Sequence, residues 1–325
     1  MRGARDGGLR IDGIVVALTV YVLRALGLGD LLTAVPALRG LRRHYPDAVI
    51  VLAAPAAYRD LALLTGAVDE VVPTAGLGDV HALDQPPMLG VNLHGAGPQS
   101  IEHLLAVAPL AMLTHRHPDH PEVPGPDWPE DVHEVDRWCG LLRWAGIACS
   151  ADDLDVERPP RDPVLRDAVV IHPGAAAPSR RWPADRFATV AAELAGEGYD
   201  VVVTGSRAER DLAQQVADSA GLPESAVLAG ELDLLDLVTL VADARLLVCG
   251  DTGVAHVATA TGTESVLLFG PTPPSRWGPR RLERHHVLWA GDVGDPHADH
   301  PDPGLLSLST AEVLDTVRTA LKESS

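Results

Sequence analysis

The sequence predicts an α/β protein built as two doubly wound halves, and two observations carry that reading. Short β-branched runs alternate with longer amphipathic stretches from one end of the 325 residues to the other. This is the pattern of a parallel sheet covered by helices on both faces. The alternation breaks most completely at 150–167 (SADDLDVERPPRDPVLRD), where charge and proline replace any apolar period, and a fresh strand, AVVIHPG, starts directly after it. The break reads as an interdomain linker, giving an N-terminal domain of 1–160 and a C-terminal domain of 161–325, which would face each other across a cleft. Each half is long enough to enclose a core of its own.

The strands expected are 14–24, 49–53, 70–73, 89–93, 168–172, 200–204, 245–249 and 265–269. Between them, 31–43, 56–66, 184–196, 208–220, 233–242 and 253–261 carry helical periodicity. Residues 115–130 (HRHPDHPEVPGPDWPE) are rich in proline and predict a loop inside the first half. The last helix, 309–321, opens with Ser309 and Glu312 at capping-box spacing, and is expected to pack back on the N-terminal domain.

The formal charge of −19 argues against a nucleic-acid partner, which needs a basic surface, and against loose attachment to an anionic membrane. Arginine supplies nearly all the positive charge, Lys322 being the only lysine. Cys139, Cys149 and Cys249 form no CxxC pair and are odd in number. A reduced, cytoplasmic chain is the simplest account. Ile14 to Leu23 is apolar, but Arg24 ends the run far short of a membrane span and no small-residue cleavage site follows. A buried first strand is therefore expected, with no transmembrane segment.

Four junctions between strand and helix carry candidate chemistry. At the end of the first strand stands Arg24-Ala-Leu-Gly-Leu-Gly-Asp30, where Gly27 and Gly29 let the backbone approach a ligand. As a dinucleotide fingerprint it is incomplete: Leu32 occupies the third small position, although Asp47 lies near the spacing for a ribose contact. Asp30 would also serve simply as a helix cap. The second junction, His172-Pro-Gly174-Ala-Ala-Ala-Pro-Ser-Arg180-Arg181-Trp182-Pro183, sets two arginines beside exposed loop amides, a combination suited to a diphosphate. The third, Cys249-Gly-Asp251-Thr252-Gly253-Val-Ala-His256, offers a hydroxyl and free amides at a helix start. Its Asp-Thr-Gly is not that of an aspartic protease, whose context is all-β. The fourth, Phe269-Gly270-Pro271-Thr272-Pro-Pro, is a stiff turn.

Taken in order, GLGD, PGA…SRRWP, DTGxxH and FGPT resemble glycosyltransferase family 9, the heptosyltransferase-like enzymes, from about Val22 to about Pro279. The resemblance implies the GT-B fold of two Rossmann-like domains, with the acceptor on the N-terminal one and a nucleotide-sugar donor, ADP-heptose by family habit, on the other. It implies an inverting transfer with Asp30 as general base. The donor side would comprise Gly29, Gly174, Arg180, Arg181, Glu209, Leu232, Asp251, Thr252, Gly253 and His256, with Arg180 standing where many relatives carry lysine. His94, His133 and Arg137 are the acceptor-side candidates. No cofactor and no metal are expected, since the DxD-like Asp153-Leu-Asp155 falls in the linker. The acceptor would be a glycan, a lipid-linked sugar or a small molecule, and the setting cytoplasmic or peripheral to the inner face of a membrane. Three alternatives remain open: a sugar-nucleotide 2-epimerase of the same fold, an NAD-dependent oxidoreductase, and a binding protein that has lost catalysis.

Overall fold

The computed structural model describes residues 8–11, 14–81, 83–280 and 282–323. The chain divides into two compact units, Met1–Leu154 and Asp155–Ser325, so the division falls inside the charged, proline-rich segment.

The first unit begins with two short strands, β1 (Gly8–Ile11) and β2 (Ile14–Ala17), paired antiparallel. There follow β3 (Thr19–Leu23), α1 (Leu28–His44), β4 (Val49–Ala54), α2 (Arg59–Leu64), β5 (Glu70–Pro73), β6 (Leu89–Asn92), α3 (Gln99–Val107), β7 (Ala111–Leu113) and α4 (Glu134–Trp144). Its main sheet is parallel throughout, in the order β5-β4-β3-β6-β7. A central strand of such a sheet is covered on both faces, which is why β3 reads as an unbroken apolar run and Val20 to Leu23 are fully buried. The single strand expected over 14–24 is thus two: its first half pairs with β1, and only the second enters the main sheet.

The second unit contains β8 (Val169–His172), α5 (Ala184–Gly196), β9 (Val201–Val203), α6 (Arg210–Ala220), α7 (Leu234–Ala242), β10 (Leu246–Gly250), α8 (Gly253–Thr261), β11 (Ser265–Phe269), α9 (Pro274–Trp277), β12 (His285–Trp289), α10 (Pro303–Ser307) and α11 (Thr310–Glu323). Its parallel sheet runs β12-β11-β10-β8-β9, so β8 and β10, the two strands that lead into the expected donor turns, are neighbours in its interior.

The apolar stripe of the last helix, Val313, Leu314, Val317, Ala320 and Leu321, belongs to the second unit's own core. The start of α11 is as expected, with Ser309 Oγ accepting from the Glu312 amide at 3.2 Å. The expectation of a reduced chain is corrected, because the cysteines are not all thiols. The chain reverses after α4 through Gly146, at φ +77°, and the Ile147 amide returns to the Leu142 carbonyl at 2.9 Å. This reversal brings Cys139 and Cys149 to a Cα–Cα distance of 5.2 Å, where they form a disulfide, while Cys249 is a buried thiol.

Candidate functional site

In the first unit the chemistry gathers around Arg24, a charged residue closing an otherwise apolar strand. Its side chain is fully buried, so it must find compensation within the protein. Nε donates to the Asp30 carbonyl at 2.9 Å, and Nη1 donates to the Leu93 carbonyl. Nη2 is shared: it donates to Asp30 Oδ1 at 3.1 Å and to Glu134 Oε1 at 2.9 Å. Asp30 occupies the third position of α1 and also caps its start, because Oδ2 accepts from the Gly27 amide at 3.1 Å. The Asp30 side chain keeps 25% of its surface exposed, unlike that of Arg24, at the turn that follows the strand's carboxyl end. Burial lifts its pKa above the ordinary carboxylate value; Arg24 opposes the rise and Glu134 adds to it.

Glu134 behaves in the opposite way. Burial alone would raise its pKa, but Arg24, Arg137 and the Trp138 indole together hold it below the ordinary value. Arg137 Nε donates to Oε2 at 3.1 Å and Trp138 Nε1 to Oε1 at 2.8 Å. Trp128 and Trp138 stack edge to face around His115, with the Arg137 guanidinium 4.1 Å from the Trp128 ring centre. Burial pushes His94 and His115 down to about 4, so both imidazoles are neutral at physiological pH.

In the second unit three turns meet at the carboxyl ends of adjacent strands. Thr252, extended at φ −147° and ψ 167°, precedes α8, and no side chain caps that helix. Its first-turn amides and dipole therefore point toward any anion placed there. Asp251 is buried and its pKa raised, principally by burial, with Arg180 and the Thr272 hydroxyl opposing the rise. Arg180 Nη1 lies 3.8 Å from Asp251 Oδ2, while its Nε is buried with no hydrogen-bond partner. Gly250 has a packing reason: a Cβ there would stand 2.9 Å from the Arg180 carbonyl oxygen. Glu209 folds over Gly174, where a Cβ would lie 2.2 Å from Oε1. Burial would raise the Glu209 pKa, but the Ser206 amide and hydroxyl, at 2.8 and 2.7 Å, with His172 and Arg181 nearby, hold it down.

Residues 135–295 match the family model for glycosyltransferase family 9 (heptosyltransferase). Lipopolysaccharide heptosyltransferase 2 of Salmonella typhimurium is 25% identical over 353 residues, covering 94% of this chain and 99% of that protein. The chain is a heptosyltransferase-like glycosyltransferase of family 9. Lipopolysaccharide heptosyltransferase 3 of Escherichia coli is 32% identical over 157 residues, 47% of this chain and 46% of the relative. Among solved structures, Escherichia coli ADP-heptose lipopolysaccharide heptosyltransferase II superposes with a TM-score of 0.75 at 21% identity, over 94% of this chain and 99% of that one. A family 9 glycosyltransferase from Veillonella parvula gives 0.77 at 20% identity, over 98% and 100%. These likenesses establish the GT-B fold of two Rossmann-like units.

Within this glycosyltransferase, the structure brings Gly174, Arg180, Arg181, Glu209, Asp251, Thr252 and Gly253 to the ends of β8 and β10 and the loops around them. Arg181 turns back on its own loop, donating from Nε to the Ala175 carbonyl at 2.8 Å. His256 stands in α8 with its ring edge-on to Trp277 at 6.0 Å. Leu232 is half-buried just before Asp233, the residue that caps α7. Gly29 is next to Asp30 in the first turn of α1. On the other unit, His94 stands close enough to Arg24 to feel its charge, whereas His133 caps α4 and Arg137 is committed to Glu134. Asp153 of the DxD-like triplet is engaged by Arg39, at 2.8 Å, and by Arg43.

Sequence reasoning missed the roles of Arg24 and Glu134. Arg24 left a signal, an arginine ending a strand buried on both faces, which demands a carboxylate partner. Glu134 left none, because its partner lies 110 residues away in the chain.

Proposed function

We propose that this glycosyltransferase moves a heptose from an ADP-linked donor to an acceptor hydroxyl, with inversion and without a metal ion. The observation that carries the proposal is Asp30: a partly exposed carboxylate, anchored on one oxygen by Arg24, with a raised pKa at a strand-to-helix turn. A base must be held in place yet remain basic, and this environment supports both requirements. In the reaction Asp30 takes the acceptor's hydroxyl proton as that oxygen bonds to the anomeric carbon. The bond from this carbon to the donor's diphosphate breaks on the opposite face, and the diphosphate leaves with the electron pair. Arg180 and the first amides of α8 receive its growing charge, the service a metal would otherwise give. Glu209, Leu232 and Asp251 would hold the nucleoside portion and the sugar.

The names of the relatives favour a lipopolysaccharide-type acceptor. The charge of −19 favours a small or weakly charged one, so both belong in the acceptor screen. A cytoplasmic or membrane-peripheral setting is part of the proposal; among the described residues no helix is long and apolar enough to cross a membrane.

The test is to incubate purified protein with ADP-heptose and acceptor candidates, with and without EDTA, and to read the anomeric configuration of the product by NMR. Asp30→Asn should bind ADP as the parent does and lose transfer by at least about a hundredfold. Near-parental transfer by that variant would remove Asp30 from the mechanism. Turnover of the donor sugar without any acceptor would indicate epimerisation instead.

A further inference from the structure

Glu134 opens α4 as a buried carboxylate with 9% of its side chain exposed, and it reaches the same nitrogen of Arg24 that Asp30 uses. An Arg Nη carries two hydrogens, and here both carboxylates, together with Thr33 Oγ1 at 3.3 Å, draw on them. We propose that Glu134 is a positioning residue that sets the basicity of Asp30 by dividing the charge of Arg24 with it. The inference rests on the reading of Asp30 as the base.

A buried guanidinium paired with a single carboxylate would hold that carboxylate strongly ionised, and a base so stabilised is a weak one. A second carboxylate on the same nitrogen takes up part of that charge. The two acids are then driven apart by their other neighbours. Glu134 has Arg137 at 3.1 Å and the Trp138 indole at 2.8 Å, so it remains the anion. Asp30 has backbone amides, Gly27's and its own, besides Arg24, and its pKa stands on the raised side. Two carboxyls with environments pulling in opposite directions mark separate roles, and the more exposed one is the proton acceptor.

The other titratable groups facing this pair are uncharged near neutrality. Tyr58, from the turn before α2, has its phenol pushed up by burial and by Asp30. His94, after β6, and His115, after β7, are held near 4.

The experiment is the pH dependence of kcat/KM for the parent, Glu134→Gln, Glu134→Asp, Arg137→Met and Asp30→Asn, with circular dichroism to confirm folding. With the Glu134 charge gone, Arg24 serves Asp30 alone. The acid limb of Glu134→Gln should therefore move to lower pH, and its plateau should fall by up to about tenfold as the base weakens. Glu134→Asp restores the charge and should return the limb toward its parental position. Arg137→Met removes a cation from the far side of Glu134 and should move the limb the opposite way, to higher pH; this variant decides the matter if the Gln variant does not fold. Equal losses at every pH with unmoved limbs would overturn the inference and leave Glu134 a packing residue. An active Asp30→Asn would instead overturn the assignment of the base, so the two failures are distinguishable.

Discussion

Replacing Arg24 with methionine tests the buried network most directly. Methionine fills much of the same volume but removes the donor to Asp30 Oδ1 and carbonyl, Thr33 Oγ1, Glu134 Oε1 and the Leu93 carbonyl. Two carboxylates would be left in place, with only Arg137 still paired to Glu134. Breaking a buried ion pair by deleting one partner costs about 3–5 kcal/mol. At roughly 2–4 °C per kcal/mol for a unit of this size, Tm should fall by roughly 10 °C. The pH dependence has a definite sign. In the parent, Glu134 is held below its ordinary pKa, so its contribution is present above the unfolded value and is lost as pH falls through the folded one. In the variant, Asp30 loses the cation that opposed its raised pKa. A carboxyl of that kind favours the folded state below its unfolded pKa and loses that advantage as pH rises. Both effects make the deficit largest near neutrality and smaller in acid. Urea unfolding at about pH 7.5 and about pH 4, followed by tryptophan fluorescence, measures it. The Trp138 ring lies 5.1 Å from the Arg24 guanidinium carbon and reports from the site itself. A deficit below about 1 kcal/mol, or one equal at both pH values, would refute this account of the network.

Two more perturbations address the second unit. Gly174→Ala puts a Cβ 2.2 Å from Glu209 Oε1, and Glu209 is tied to Ser206, so the carboxylate must be displaced. A stability loss of about 1–3 kcal/mol is expected, with ADP affinity reduced about tenfold or more in calorimetry; unchanged affinity would separate Glu209 from the donor site. Arg180→Ala should lower kcat by about a hundredfold or more and also weaken ADP binding, because it removes a cation from the leaving diphosphate. Steady-state kinetics that change only in KM would show that Arg180 binds the ground state alone.

Legibility in the sequence followed the range of the interaction. The turns at Asp30, Gly174, Arg180 and Asp251–Gly253 were visible because glycine, proline and polar residues punctuate apolar strands within a few positions. Two of the edge strands were harder to read: β7 is three residues long, and β12 carries two histidines, one bonded through Nδ1 to Ser265 at 2.8 Å. Such strands need little apolar content, since one side lacks a neighbouring strand. The disulfide was equally hidden, because the approach of Cys139 and Cys149 depends on how the chain reverses after α4.

By itself the sequence determined the alternation of strand and helix, the break between the halves, the order of the four turns and, through them, the family. These are properties of short windows, fixed by side-chain periodicity and by the backbone freedom of glycine. Only the tertiary structure decided which charges meet. It set Glu134 on the guanidinium of Arg24, laid Glu209 over Gly174 and drew the last helix into the second unit's core. A buried charge must be neutralised by whatever the fold brings within about 3 Å, and that partner's place in the chain is set by packing rather than by spacing.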